Sequence, residues 1–114
     1  MRDEAQAISQ SRRSGRPLLI EFRASWCGAC KLLDRHTWAD PQVQREIAGR
    51  FVPLELDVSE QTEAQEELLR RYAVTDLPTV LVMHAGAVVP VGDSRRMTGF
   101  VLPDELLRMI RQVR

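Results

Sequence analysis

The sequence predicts an α/β fold, a central mixed β-sheet flanked by helices on both faces. Three observations predict it. Apolar runs of strand length recur at residues 18–24, 51–58 and 79–83. Segments with helical apolar spacing and recognisable caps separate these runs, as parallel neighbours joined by helical crossovers require. After the third run the pattern changes to a hairpin, a short strand and a closing helix, which adds antiparallel pairing.

Each element has its own signal. Residues 2–13 are polar with sparse apolar positions (Ala5, Ala7, Ile8) and predict an amphipathic first helix, stopped by Ser14-Gly15-Arg16-Pro17. Leu18 to Ala24 is apolar enough to be a central strand. A helix starts at or near Cys27 and runs through Leu32 and Leu33 to about His36. Asp40-Pro41 restarts the chain as a helix, with Asp as N-cap and Pro at the first helical position. That helix reaches about Ala48, where Gly49 is expected to close it. Phe51 to Val58 alternates as a second strand, and Ser59 to Tyr72 is a charged helix with Ala64, Leu68, Leu69 and Tyr72 at helical spacing. Thr79 to Met83 is the third strand, His84 to Ala87 a hairpin turn into Val88 to Val91, and Arg96 to Thr98 a last short strand. Pro103-Asp104-Glu105 opens a final helix that buries Leu106, Leu107, Ile110 and Val113.

A length of 114 residues suits one domain spanning residues 1–114, large enough to bury a core without disulfide staples. Hydrophobic residues at 44% and charged residues at 28% exclude a disordered chain. Sixteen Lys and Arg balance sixteen Asp and Glu, which removes the electrostatic case for nucleic acid or an anionic membrane. The local basic pairs Arg12-Arg13 and Arg95-Arg96 read as solvated surface. A bilayer span needs about 20 apolar residues. The best candidate, Thr79 to Val91, is broken by His84, Gly86 and Pro90. No signal-peptide core follows Met1. A cytosolic protein and a segment of a longer exported one both remain open, and nothing suggests more than a monomer.

The two cysteines, Cys27 and Cys30, are the only ones in the chain, at the junction of an apolar strand and a helix. A three-residue separation at a helix start puts both on one face within bridging distance. Unpaired N–H groups at the helix N-terminus favour negative charge on the first sulfur. Cys27 is therefore the candidate nucleophile and Cys30 the resolving thiol. Lowering a thiol from about 8.5 to about 7 raises its thiolate fraction roughly 16-fold at pH 7, but nucleophilicity falls with basicity and leaves about a 3-fold gain in rate. Tuning at such a site acts mainly on redox poise. A purely structural disulfide would add on the order of 2 kcal/mol in so short a loop, which a domain of this size does not need. A metal site would have to recruit His36 and His84, whose spacing fits no zinc finger.

Glu21 lies six residues before Cys27 inside an otherwise apolar strand. Pointing inward, it would be raised by desolvation and could exchange protons with Cys30; pointing outward at a sheet edge, it would be inert. Asp34, one turn beyond Cys30, is either a second carboxylate near the pair or part of a solvated helix face. Pro78 enters the third strand without an N–H to donate, and the sequence leaves its cis or trans state open.

The run Trp26-Cys27-Gly28-Ala29-Cys30-Lys31 after an apolar strand, with Asp76-Leu77-Pro78-Thr79 and Thr98-Gly99 before the last helix, resembles the thioredoxin superfamily. Thr37-Trp38-Ala39-Asp40-Pro41-Gln42-Val43-Gln44, Asp57-Val58 and Thr98-Gly99-Phe100 narrow the resemblance to one branch. That branch is the C-terminal periplasmic domain of DsbD-type thiol:disulfide interchange proteins. The resemblance covers nearly the whole chain. It implies a thioredoxin-like fold and a protein-disulfide reductase in which Cys27 attacks and Cys30 resolves. Pro78 would be a cis-proline beside the pair, and Trp26, Gly28, Ala29, Leu77 and Pro78 would meet partners. Glu21 and Asp34 would be the acids that tune the cysteines. The redox group would be the Cys27–Cys30 disulfide itself, with no other cofactor and no metal. Electrons would come from a membrane-embedded cysteine pair and leave to another periplasmic redox domain, in the setting of cytochrome c-type biogenesis. The chain itself would not enter the membrane, and would be one domain of a longer inner-membrane protein. A free-standing thioredoxin-like reductase, cytoplasmic or not, and a non-catalytic binding module on the same scaffold are the alternatives. The chain differs from the family pattern at Gly28-Ala29 between the cysteines, at Glu21 where Asp is usual, and at Arg23 in a position often aromatic, which is expected to alter the partner surface.

Overall fold

The computed structural model describes residues 1–85 and 95–113. In chain order the elements are α1 (Glu4–Ser14), β1 (Leu18–Arg23), α2 (Gly28–Leu33), a π-helical turn (Asp34–Trp38), α3 (Pro41–Arg50), β2 (Val52–Asp57), α4 (Glu63–Arg71), β3 (Thr79–Met83), β4 (Arg96–Thr98) and α5 (Pro103–Arg111). The sheet order is β2-β1-β3-β4. β1 runs parallel to β2, with Glu21 opposite Glu55, and antiparallel to β3, with Glu21 opposite Val80. β3 and β4 are antiparallel, with Thr79 opposite Thr98. The mixed sheet with helices on both faces is the architecture that the alternation of patterns predicts. β1 is central, so Leu18 to Phe22 have strand neighbours on both sides.

Because side chains alternate across a strand, β1 feeds two cores. Leu18, Ile20 and Phe22 join Val52, Leu54 and Leu56 of β2 beneath α1 and α4, where Ala7 and Tyr72 complete the layer. Phe22 and Tyr72 meet as a tilted ring pair, 5.3 Å between centroids, a geometry that favours contact between ring edge and face. On the opposite face Leu19, Val80 and Val82 pack against Leu33, Val43 and the α5 residues Leu106, Leu107 and Ile110. α5 buries the predicted stripe, and Val113 beyond its end is buried too.

The helix boundaries follow their caps. Asp3 accepts from the Gln6 N–H to start α1, and Gly15 ends it at φ 74°, a left-handed turn that favours glycine. Asp40 accepts from the N–H groups of Gln42 (2.9 Å) and Val43 (3.1 Å), with Pro41 at the first position of α3. Asp40→Ala leaves both donors to water. It should lower the free energy of unfolding by about 1 kcal/mol with an unchanged denaturant slope, measured by urea titration.

Three boundaries differ from the sequence expectations. Gly49 does not close α3. The helix runs on through Arg50, which bonds Glu46 one turn back and the carbonyls of Ile110 and Val113, so α5 holds the last turn in place. The helix expected from Ser59 starts at Glu63. Thr62 and Gln65 form a reciprocal capping box there, and Gln61 at φ 54° breaks the helical path before it. Ala64 is exposed, leaving Leu68 and Leu69 of α4 and its C-cap Tyr72 to meet the core. The helix after Cys27 extends past His36 by widening into the π turn that ends at Trp38. The hairpin turn and strand expected at residues 84–91 lie outside the described residues beyond His84 and Ala85.

Candidate redox site and the acidic cluster behind it

β1 delivers the chain to Ala24 at its C-terminal end, and Ser25-Trp26 turns it into α2. Cys27 is the N-cap of α2, in extended conformation, and its Sγ accepts from the Cys30 N–H at 3.1 Å. The two sulfurs form a disulfide with 5.3 Å between Cα atoms. Cys27 is 8% exposed and Cys30 is fully enclosed. Only Cys27 presents an edge to an incoming group, and its sulfur sits where a negative charge meets an unpaired backbone donor. Ala24, Cys27 and Cys30 form a small cluster with Ala29 and Leu77, and Leu77 links it to the core beneath α1 and α4.

The other predicted partner residues surround this edge. Trp26 is 57% exposed while its indole N–H donates to the Ser59 carbonyl at 3.0 Å, which fixes the ring beside Cys27. Gly28 is exposed, and a side chain there would meet nothing within 4 Å, so the surface above the disulfide is open. The Leu77–Pro78 peptide is cis, the state that the sequence left undecided. Pro78 is held at the head of β3 by its carbonyl, which accepts from Gly99 N–H at 2.7 Å. Gly99 itself adopts φ 86°. A groove of about 360 Å³ runs along Trp26, Cys27, Leu69, Val74 and Leu77.

Glu21 points inward. The edge-strand alternative fails because β1 is central, and the residue is 7% exposed. Its Oε2 accepts from the Trp38 indole at 3.0 Å and from Arg23 at 3.5 Å. Burial pushes its carboxyl up to about 7, against the opposing pull of the Trp38 hydrogen bond and the Arg23 charge. Asp34 is neither fully solvated nor idle. Its backbone N–H bonds the Cys30 carbonyl, and its two oxygens accept both terminal nitrogens of Arg23, at 2.5 and 2.7 Å. Glu55, beside Glu21 on β2, stands 4.0 Å from the same guanidinium. A cavity of about 250 Å³ lies behind this cluster, lined by Leu19, Glu21, Asp34, Trp38, Ile47 and Glu55 among others.

Arg23 therefore does not sit on the partner surface, as its aromatic counterparts suggested; it faces inward, 15% exposed, between three carboxylates. The sequence reading also missed the roles of Trp38 and Glu55. Period-two spacing puts Glu21 and Arg23 on one face of β1, and an inward Trp needs an acceptor for its N–H. Those two signals were available. His36 is exposed and makes an edge contact with the Phe100 ring, and His84 is exposed after β3.

Comparison with known proteins agrees with this geometry. A thioredoxin-like family profile matches residues 1–85. The thiol:disulfide interchange protein DsbD of Cronobacter sakazakii is 37% identical over 100 residues, covering 87% of this chain and 16% of that protein. The chain thus spans about a sixth of the length of that curated relative. The solution structure of a thioredoxin from Thermus thermophilus superposes with a TM-score of 0.82 at 31% identity, covering 98% of this chain and 84% of that one. The reduced C-terminal domain of Neisseria meningitidis DsbD superposes at 0.81 with 23% identity, over 96% of this chain and 93% of that one, a likeness of fold. Among the described residues no helix is long and apolar enough to cross a membrane.

Proposed function

The chain belongs to the thioredoxin-like family, and from that premise we propose that it is a thiol–disulfide oxidoreductase domain that reduces partner disulfides through Cys27 and Cys30. The observation that carries this reading is the asymmetry of the pair: one sulfur at a helix N-cap with an open edge, the other enclosed one turn deeper. In the reduced state the Cys27 thiolate attacks a partner disulfide. A bond forms between Cys27 Sγ and one partner sulfur, and the other partner sulfur leaves as thiolate. Cys30 then gives up its proton and attacks Cys27 Sγ. The mixed disulfide breaks, the partner leaves reduced, and the Cys27–Cys30 disulfide closes. Two electrons have passed to the partner. The disulfide is itself the redox group, and the reaction calls for no other cofactor.

Glu21 is the base proposed for Cys30, since it is bonded to Trp38 of the π turn that continues the Cys30 helix and changes protonation near neutrality. Asp34 supports it from the helix side. Trp26, Gly28, Ala29, Leu77 and Pro78 form the surface on which an extended partner segment would lie across the sulfurs. The similarity to DsbD supports a place in a relay: a membrane-embedded cysteine pair as donor, a periplasmic redox domain as acceptor, and this chain as a monomeric periplasmic domain between them. The 31% identity to a Thermus thioredoxin over most of its length supports a second reading, a free-standing reductase with the same chemistry.

The test is the reduction potential of the pair, read by thiol trapping in glutathione buffers of graded ratio. A reductase should equilibrate near about −270 mV or modestly above it. A value near about −120 mV marks a strong oxidant and reverses the direction of flow.

A further inference from the structure

Arg23 is shared unequally. Its guanidinium meets Asp34 fork to fork, through Nη1 and Nη2 at 2.5 and 2.7 Å, the strong geometry for this pair. The buried Glu21 receives only a single contact from Nη1 at 3.5 Å, and Glu55 stands at 4.0 Å. Asp34 is 44% exposed on its side chain and Glu21 is 9% exposed. The better-solvated carboxylate therefore holds most of the cation, while the enclosed one, which has least water to stabilise its charge, is left at the fringe.

We propose that Arg23 is a positioning residue for the exchange reaction: by dividing its charge between Asp34 and Glu21 it sets how readily the buried Glu21 carboxyl releases and takes up the proton of Cys30. The proposal rests on the disulfide-exchange reading. Asp34 is the C-cap of the helix that carries Cys30, bonded by its N–H to the Cys30 carbonyl. Arg23 thus ties that helix to the strand bearing Glu21, and the same bond fixes both the distance and the charge. The groups facing Glu21 are few. β1 supplies Arg23, and the π turn supplies Asp34 and the neutral Trp38 donor. β2 supplies Glu55, itself paired with Arg2 at 3.2 Å, and more distantly Asp57. α3 contributes the apolar Ile47, and the Met1 amino group, bonded to the Pro53 carbonyl, stands at the same cavity.

The two sides of the clamp predict opposite signs. Arg23→Met removes the nearest attractive charge and leaves the repulsive carboxylates Asp34 and Glu55. The titration midpoint of Glu21 should rise by about one pH unit. Asp34→Asn removes a repulsive charge and frees Arg23 to turn to Glu21. The midpoint should fall, by about half a unit or more. Arg23→Lys keeps the charge without the fork and should lie between wild type and Arg23→Met.

The experiment follows the Glu21 side-chain carboxyl carbon by NMR across pH in the oxidised chain. In parallel the reduced chain is mixed with 5,5′-dithiobis(2-nitrobenzoate), and release of the two thionitrobenzoate equivalents is timed. The first equivalent reports attack by Cys27 and the second reports resolution by Cys30. Opposite shifts of the Glu21 midpoint in the two variants, matched by shifts of the pH midpoint of the second release alone, support the proposal. A Glu21 midpoint unmoved in both variants overturns it. So does a Glu21 midpoint that moves while the second release keeps its pH profile. Asp34→Asn alters a half-exposed residue and carries the test should Arg23→Met fold poorly. A wild-type chain that never releases the second equivalent defeats the exchange reading, and the carboxyl titration then still decides whether Arg23 governs Glu21.

Discussion

Cys27→Ser should leave no disulfide reduction above background, and Cys30→Ser should accumulate stable mixed disulfides. Both results follow from the enclosure of the pair. A two-electron exchange consumes both sulfurs, so a chain with one thiol has no couple to cycle, whatever its remaining nucleophile. The two single variants should nevertheless behave differently. With Cys30 replaced, Cys27 keeps its N-cap place and its open edge, attacks once, and has no neighbour to release the partner. With Cys27 replaced, Cys30 is fully enclosed and one turn deeper, so it forms mixed disulfides slowly if at all. The fold should survive both changes, because the lost cross-link closes so short a loop that its removal costs only about 2 kcal/mol in the chain-entropy model. Incubation of each variant with glutathione disulfide, followed by mass measurement of the intact chain, separates the roles. Rapid glutathionylation of Cys27→Ser would exchange the assignments. An inert Cys30→Ser chain would favour a binding module over an enzyme.

Glu21→Gln should stabilise the oxidised protein in a pH-dependent way, with the largest gain above neutrality. Burial raises the Glu21 carboxyl from an ordinary 4.5 to about 7. The folded state therefore holds its proton more tightly than the unfolded chain. Below about pH 4.5 both states are protonated and the group contributes nothing. Between 4.5 and 7 the unfolded chain ionises first, so stability falls as pH rises. Above about pH 7 the full penalty of a buried carboxylate is present, on the order of 3 kcal/mol at roughly 1.4 kcal/mol per unit. Glutamine keeps the acceptor for the Trp38 N–H but never ionises. The difference in melting temperature between the variant and wild type should grow from near zero at pH 4.5 to roughly 10 °C at pH 8. Parallel stability curves across that range would mean that Glu21 ionises freely in the folded state, and its use as a proton store would fall with it. The same substitution should slow resolution by Cys30, since the variant has no base at that place.

Much of this was legible in the sequence because it is local. Asp40-Pro41 marks the start of α3, and the unbroken apolar run of β3 marks a strand buried on both faces. The cysteine pair is likewise defined by its place between a strand and a helix. The π turn was not legible. Hydrophobic spacing reports a period near 3.6, and a five-residue stretch of wider winding leaves no separate trace in it. Yet that turn brings Trp38 back under β1 and onto Glu21. The Arg23 network was half legible. Alternation places residues 21 and 23 side by side, but its third member comes from a helix whose facing no strand pattern contains. The start of α4 was misplaced because Glu60 and Gln61 are good helix formers ahead of Thr62, and the left-handed Gln61 overrides that preference.

The sulfurs, finally, occupy a small cluster with Ala24 and Ala29, joined only through Leu77 to one of the two layers that hold the sheet to its helices. Making and breaking the sulfur–sulfur bond thus rearranges a few atoms at the rim while the load of the architecture is borne elsewhere. On the exchange reading, such a chain is expected to serve as a reusable carrier whose outline differs little between its two states. Docking partners would then tell the two states apart by the sulfur they find rather than by a change of shape.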